Sequence, residues 1–302
     1  MTVRSISNIK KAHPIRYATA ILMLILLSCS RVVSQGVYQG ARFAFSCLVP
    51  TLFPFFIIGD MMFHYGLPFD TWLKKSGLWV IVVGVICGFP HGTRIATRLY
   101  SEGKINFAEY ERLLVLSNAP SAAFVIAGVG SGMLGSTALG TILYISLLLS
   151  IFTLSLLVRS EKSAHQGAQL ILDKQFSLTD SIRNAGASCI TVASFVIFFY
   201  GLHSLTSHLI NNARISALLA IFLEIGTGVG MLAKDQSLSH ASKIPLLGFC
   251  IGFSSISVFM QCSAFTDKLI RRKKLFIFKI IQGVLVAIYA FLLTCVYKKW
   301  LL

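Results

Sequence analysis

Acidic residues are scarce in this 302-residue chain: 11 Asp and Glu stand against 27 Lys and Arg, and charged residues of both signs make up only 13%. A soluble domain carries about 25% charged residues. With 55% of its residues hydrophobic, this chain lacks the polar side chains to cover a globule, so lipid must cover it. The alternating ten-residue segments of an outer-membrane barrel are missing as well, which leaves helices. There is no GxSxG, no HExxH and no P-loop. No enzyme constellation stands out, and transport driven by nucleotide would need another subunit. The seven cysteines show neither CxxC nor Cys/His ligand spacing. They read as small buried hydrophobes, so neither a metal nor a cofactor is expected.

What is present is a set of apolar runs separated by short basic clusters. The net charge of +16 is spread through those clusters, as expected of cytoplasmic loops beside an anionic leaflet. No basic stretch is embedded in a soluble fold, which argues against a nucleic-acid partner; the partner is the bilayer. Lys10, Lys11 and Arg16 precede the run 17–27, read as an uncleaved first span with a cytoplasmic N-terminus rather than a signal peptide.

The apolar segments lie at about 17–33, 43–65, 78–99, 113–134, 138–158, 185–209, 217–232, 244–265 and 275–296. If all nine crossed the membrane, Lys74 and Lys75 would lie on the opposite side from Arg98, Lys104 and Arg112, against the positive-inside rule. The conflict disappears if 78–99 and 217–232 are re-entrant hairpins. Residues 35–42 are then an outside loop. The loop 159–184, with Arg159, Lys162, Lys174 and Arg183, and the cluster Lys268 to Lys274 fall inside. The expectation is an all-α polytopic membrane protein with about seven full spans and two hairpins.

Residues 78–87 are ten apolar residues, about 15 Å as a helix and half the hydrocarbon core. Gly88-Phe89-Pro90-His91-Gly92 follows, which a continuous helix tolerates poorly. The second arm carries Arg94, Arg98 and Glu102 on one face, which must line a cavity or pack on protein. The order helix, hairpin, broken helix, helix then recurs. The expected parts are a first span with its basic N-terminus (1–36), a first repeat (37–158), a cytoplasmic loop (159–184) and a second repeat (185–302). Ser46-Cys47 aligns with Ser188-Cys189, Phe53 with Phe195 and Phe56 with Phe198. The halves would run in opposite senses, an inverted pair with its site at the midplane.

Four interruptions lie at matching places: the tip 88–92; Ser117-Asn118-Ala119-Pro120-Ser121; Glu224 to Gly228; and Gly252 to Ser257, followed by Gln261. Pro120 leaves the carbonyl of Leu116 without its donor. Ser254, Ser257 and Gln261 form a polar stripe. Unwound backbone offers N–H groups to anions and carbonyls to cations; small residues also serve close packing. The candidate substrate-binding set is Gly88, Pro90, His91, Gly92, Thr93, Arg94, Ser117, Asn118, Ser121, Thr227, Ser254, Ser255, Ser257 and Gln261. Arg94 is a carboxylate clamp or a structural ion pair. Glu224 is a coupling-ion site or a partner for the positive end of the following helix. His91 reads as a structural histidine, and Asp60, near His64, sits at a membrane face.

Gly88-Phe89-Pro90-His91-Gly92-Thr93-Arg94, Glu111-Arg112-Leu113-Leu114 and Ser117 to Ser121 resemble the YlbJ-type sporulation integral membrane proteins, within the nucleoside-recognition gate superfamily. Glu224 to Gly228 and Gly252 to Ser255 also match. The resemblance covers about residues 40–265 and is more specific in the first half. The chain departs from the pattern in being shorter and in having Ala119-Pro120 where a Thr-Ser or similar pair is expected. The resemblance implies a transporter or channel that moves dipicolinic acid out of the mother cell, in the membrane around the developing spore. It further implies that Arg94, the hairpin N–H groups and Asn118 meet the carboxylates of that flat dianion. The alternatives are a cation-coupled nucleoside-type carrier and a non-transporting membrane scaffold. A homo-oligomer is compatible with either.

Overall fold

The computed structural model describes residues 3–65, 77–158, 176–210, 212–266 and 272–301, and every element among them is helical. Helix α1 (Val3–Ser28) is followed at Cys29 by α2 (Ser30–Phe43), which passes through a wide turn (Ala44–Leu48) into α3 (Val49–Tyr65). Next come two short helices, α4 (Leu78–Cys87) and α5 (His91–Ser101). The chain then forms α6 (Phe107–Ser117), a π-helical stretch (Ala123–Met133) and α7 (Thr137–Leu157). The second part repeats that order: α8 (Leu178–Ile210), short α9 (Ala213–Leu223) and α10 (Ile225–Lys234), then α11 (His240–Phe253) broken from α12 (Ser255–Ser263), and α13 (Arg272–Leu301).

Among the described residues five helical stretches are long and apolar enough to cross a bilayer: Ser30–Met62, Thr137–Leu157, Leu178–Ile210, Ser242–Ser263 and Arg272–Tyr297. The apolar part of α1, Arg16–Ser28, is shorter, and the stretch from α6 through 133 is interrupted at 118–121. The chain is therefore an all-α polytopic membrane protein.

The expected outside loop at 35–42 is helical. The alternation of apolar segments alone puts this link outside, but Gly36 and Gly40 are buried where α2 crosses α8. A Cβ at Gly40 would stand 2.7 Å from Cβ of Tyr200, and one at Gly36 would run into Ser204. The boundary expected at residue 36 accordingly falls inside α2. Residues 178–184, expected in a loop, are the first turns of α8, where Arg183 faces Asp180 at 4.0 Å. Lys74, Lys75, Arg159, Lys162, Lys174 and 267–271 lie outside the described residues.

Two apolar cores hold the bundle. One joins α2, α3 and α8 through Ala44, Phe56, Cys189 and Val196. The larger one joins α4 to α7 with α9 to α13, around Leu116, Leu147, Val229, Leu247 and Val286. Outward-facing Phe152, Leu157, Ile190 and Leu292 are exposed, as expected of side chains that meet lipid.

Candidate functional site

Each helix interruption has a local cause. At the first, Gly88 adopts φ +83°, a conformation L-residues avoid, and an added Cβ there would stand 3.0 Å from Ser121. Phe89-Pro90 is cis. Gly92, one residue into α5, lies against Ser117, which an added Cβ would meet at 2.6 Å. The tip of the first short helix pair is thereby wedged into the break after α6. There Ser117 returns its hydroxyl to Leu113 O at 2.7 Å, and Ser121 Oγ accepts from Phe124 N at 3.2 Å.

Between α9 and α10, Glu224 is the N-cap. Its Oε2 accepts from Thr227 N at 2.7 Å and from Thr227 Oγ1 at 3.1 Å. The residue is 1% exposed, and among the described residues its Oε1 has no hydrogen-bond partner. At the fourth break Ser254 and Ser255 take φ +67° and +70°. Such strain costs about 1–3 kcal/mol per residue and persists only where surrounding packing enforces it. Gln261 Nε2 donates to Ser257 Oγ at 3.2 Å, while Gln261 Oε1 and Ser255 Oγ are buried with no hydrogen-bond partner among the described residues.

The structure distributes the expected site residues over three spaces. A small chamber of about 30 Å³ is lined by Gly88, Ser121, Glu224 and Gln261, uniting three interruptions and the polar stripe of the fourth. Its unpartnered buried atoms are oxygens, so it suits a cation, a proton or a donor group. A second cavity, of about 20 Å³, is lined by Thr93 and Asn118 together with Lys279 and Arg272. A third, more open cleft of about 300 Å³ is lined by His91 and Arg94 with Asp60 and Arg98.

Arg94 therefore lies outside the chamber. Its Nη1 donates to Ser188 Oγ at 2.9 Å, its Nη2 is 3.9 Å from Asp60 Oδ1, and it lies over the rings of Phe56 and Phe265 at 5.9 Å. His91 is 1% exposed, stacks on Phe56 with centroids 5.5 Å apart and lies against Gly59. The charged face of α5 ends in Glu102. Burial alone would raise its carboxyl, but hydrogen bonds from Lys104 and Arg98 outweigh it and hold it below the usual carboxylate range.

Sequence reasoning missed Lys279. It lies in α13 with 7% exposure. Its ammonium donates to the carbonyl of Asn118 and to Gln282 Oε1 at 2.9 Å, with Ser254 Oγ at 3.5 Å. It thereby ties the second break to the fourth. The backbone acceptor engaged there is Asn118, one turn's end from the Leu116 carbonyl that the proline argument singled out. Asn118 Oδ1 also accepts from Cys262 Sγ at 3.3 Å. A lysine inside the run Phe276-Ile277-Phe278-Lys279-Ile280-Ile281-Gln282 was the available signal, since an intramembrane charge marks function by default.

Fold and site define an all-helical polytopic membrane protein whose interrupted helices surround buried polar spaces. Among curated proteins the chain is similar to the sporulation integral membrane protein YlbJ of Bacillus subtilis (strain 168). The two are 23% identical over 354 residues, covering 97% of this chain and 86% of that protein. No family model matches the chain, and no solved structure matches it.

Proposed function

We propose that this protein is a membrane transporter or channel for a small anionic solute, with dipicolinic acid, moved from mother cell to forespore, as the first candidate. The observation that carries this reading is the convergence of the helix interruptions, with Gly88, Ser121, Glu224 and Gln261 around one chamber and an intramembrane lysine, Lys279, between the breaks at Asn118 and Ser254. Unwound backbone at membrane depth is tolerated where it lines a cavity or is buried in protein. The recurring element order, with short pairs 78–101 and 213–234 at equivalent places, supports an inverted repeat with two re-entrant hairpins, seven full spans and a cytoplasmic N-terminus. The likeness to a sporulation protein supports a place in the membrane around the forespore. Arg94 serves as an entry residue for the anion, in an open cleft where Asp60 holds it only loosely.

Uptake of labelled dipicolinate, compared with uridine, by the purified protein in liposomes tests this. Dipicolinate flux should exceed uridine flux, and Arg94→Ala should abolish it. Normal flux in that variant removes the proposed role of Arg94. Absence of flux for every solute favours the scaffold alternative.

A second reading has its own observation. Unpartnered oxygens of Glu224 and Gln261 in the chamber favour coupling to a cation or proton, which would also offset the charge of a moving anion.

A further inference from the structure

Lys279 is buried, yet among the described residues no acidic side chain pairs with it; its partners are a carbonyl, an amide oxygen and a hydroxyl. An ammonium away from water is costly unless paired or fully hydrogen-bonded. Asn118 O and Gln282 Oε1 take two of its three N–H groups, whereas the contact to Ser254 Oγ at 3.5 Å lies beyond the normal range. The third N–H is poorly used.

Lys279 lines the cavity of about 20 Å³ between α6, α12 and α13, which has room for about one water molecule. Both acceptors that Asn118 brings to its wall are engaged, the carbonyl by Lys279 and Oδ1 by the Cys262 thiol at 3.3 Å. A donor remains. Thr93 Oγ1 is buried with no hydrogen-bond partner among the described residues, and Thr93 lines the same wall. Arg272 lines it too, exposed about 10 Å from Lys279 along α13, so two cations and no carboxylate border the space. The rings of Phe259 and Phe278 contribute to the wall, and ring edges carry partial positive charge. A cation would meet two like charges here, and a water would leave them uncompensated.

Lys243 provides a contrast. Its ammonium donates to Ala233 O at 3.1 Å, in the last turn of α10. That contact completes a helix end, and Lys243 lines none of the three spaces described above.

We infer that the cavity between α6, α12 and α13 binds a single halide ion such as chloride. The third N–H of Lys279 and the hydroxyl of Thr93 hold it, with Arg272 at its outer end. The ion is a fixed counter-charge rather than cargo: it neutralises the ammonium that ties the second break to the fourth. This goes beyond the transport reading and holds whether or not the protein moves a solute.

Full-length protein, purified and exchanged into gluconate buffer, is dialysed to equilibrium against radiolabelled chloride. Its melting temperature is followed as chloride or bromide replaces gluconate at constant ionic strength. The wild type should bind about one chloride, displaced by bromide, and both halides should raise the melting temperature saturably, because a ligand of the folded state stabilises it. Lys279→Met should weaken chloride binding about tenfold or more and remove the halide dependence of melting. Thr93→Val keeps the shape and removes the hydroxyl, so it should weaken binding less than Lys279→Met does. A wild type that binds no chloride and melts alike in gluconate and chloride holds an ordered water only, which overturns the inference. A Lys279→Met protein with the wild-type chloride affinity overturns it as well. If Lys279→Met fails to fold, Thr93→Val decides: unchanged affinity overturns the inference and weakened affinity supports it.

Discussion

At the scale of single residues, Glu224 divides its work between two oxygens. Oε2 caps α10, and Oε1 is buried at the chamber with no hydrogen-bond partner among the described residues. The two roles separate by substitution. Glu224→Gln retains an acceptor for Thr227 and removes the charge, so gradient-driven accumulation should be lost while downhill flux persists. Accumulation unchanged in Glu224→Gln would exclude Glu224 as the coupling residue. Glu224→Ala also removes the cap, a loss of about 0.5–2 kcal/mol in helix or protein stability, visible as a lower melting temperature. Sequence alone held both readings of this residue, because its two oxygens only acquire different surroundings once α9, α10 and the first half are packed. His91 packs against Phe56 and Gly59 at the edge of the cleft that holds Arg94. A carboxylate near the end of α3 shows no sign in the sequence that it faces Arg94 from another helix, as Asp60 does at 3.9 Å.

At the scale of elements, close approach decides the packing. Gly36 and Gly40 bring α2 onto α8, and Gly92 brings α5 onto Ser117. Gly40→Leu should destabilise the protein by about 1–3 kcal/mol through overpacking, seen as earlier thermal aggregation in detergent. Gly92→Leu should unseat the first short helix pair and stop flux even where the protein still folds. Retained flux in Gly92→Leu would show that this tip need not be seated on α6. The interruptions at 88–92, 118–121, 224 and 254 were legible because Gly, Pro and clustered Ser or Asn signal them directly. The helix at 35–42 was not legible. The alternation of apolar segments puts it in a link, and the glycines that make it a packed helix only do so against a surface supplied by α8.

At the scale of the whole molecule, the order of elements repeats across α2–α7 and α8–α13. If the short pairs re-enter on the side they leave, tags placed after residues 75 and 104 should report one compartment, the cytoplasm. Opposite compartments would remove the re-entrant hairpin and with it the inverted repeat. Lys274, which donates to Glu111 Oε2 at 2.9 Å, links the start of α13 to α6 and so joins the two halves near this proposed cytoplasmic face.

Composition and patterning alone determined that this chain is a bundle of membrane helices, and where those helices break, because hydrophobic length, proline and glycine act locally. Which broken ends share a cavity, that Arg94 faces Asp60 and Ser188 outside the chamber, and that Lys279 bridges Asn118 and Ser254, were decided by the tertiary structure. Those contacts join residues 94 to 161 positions apart or, for Ser254, a neighbouring helix, and no local preference encodes a meeting between groups that only packing brings together.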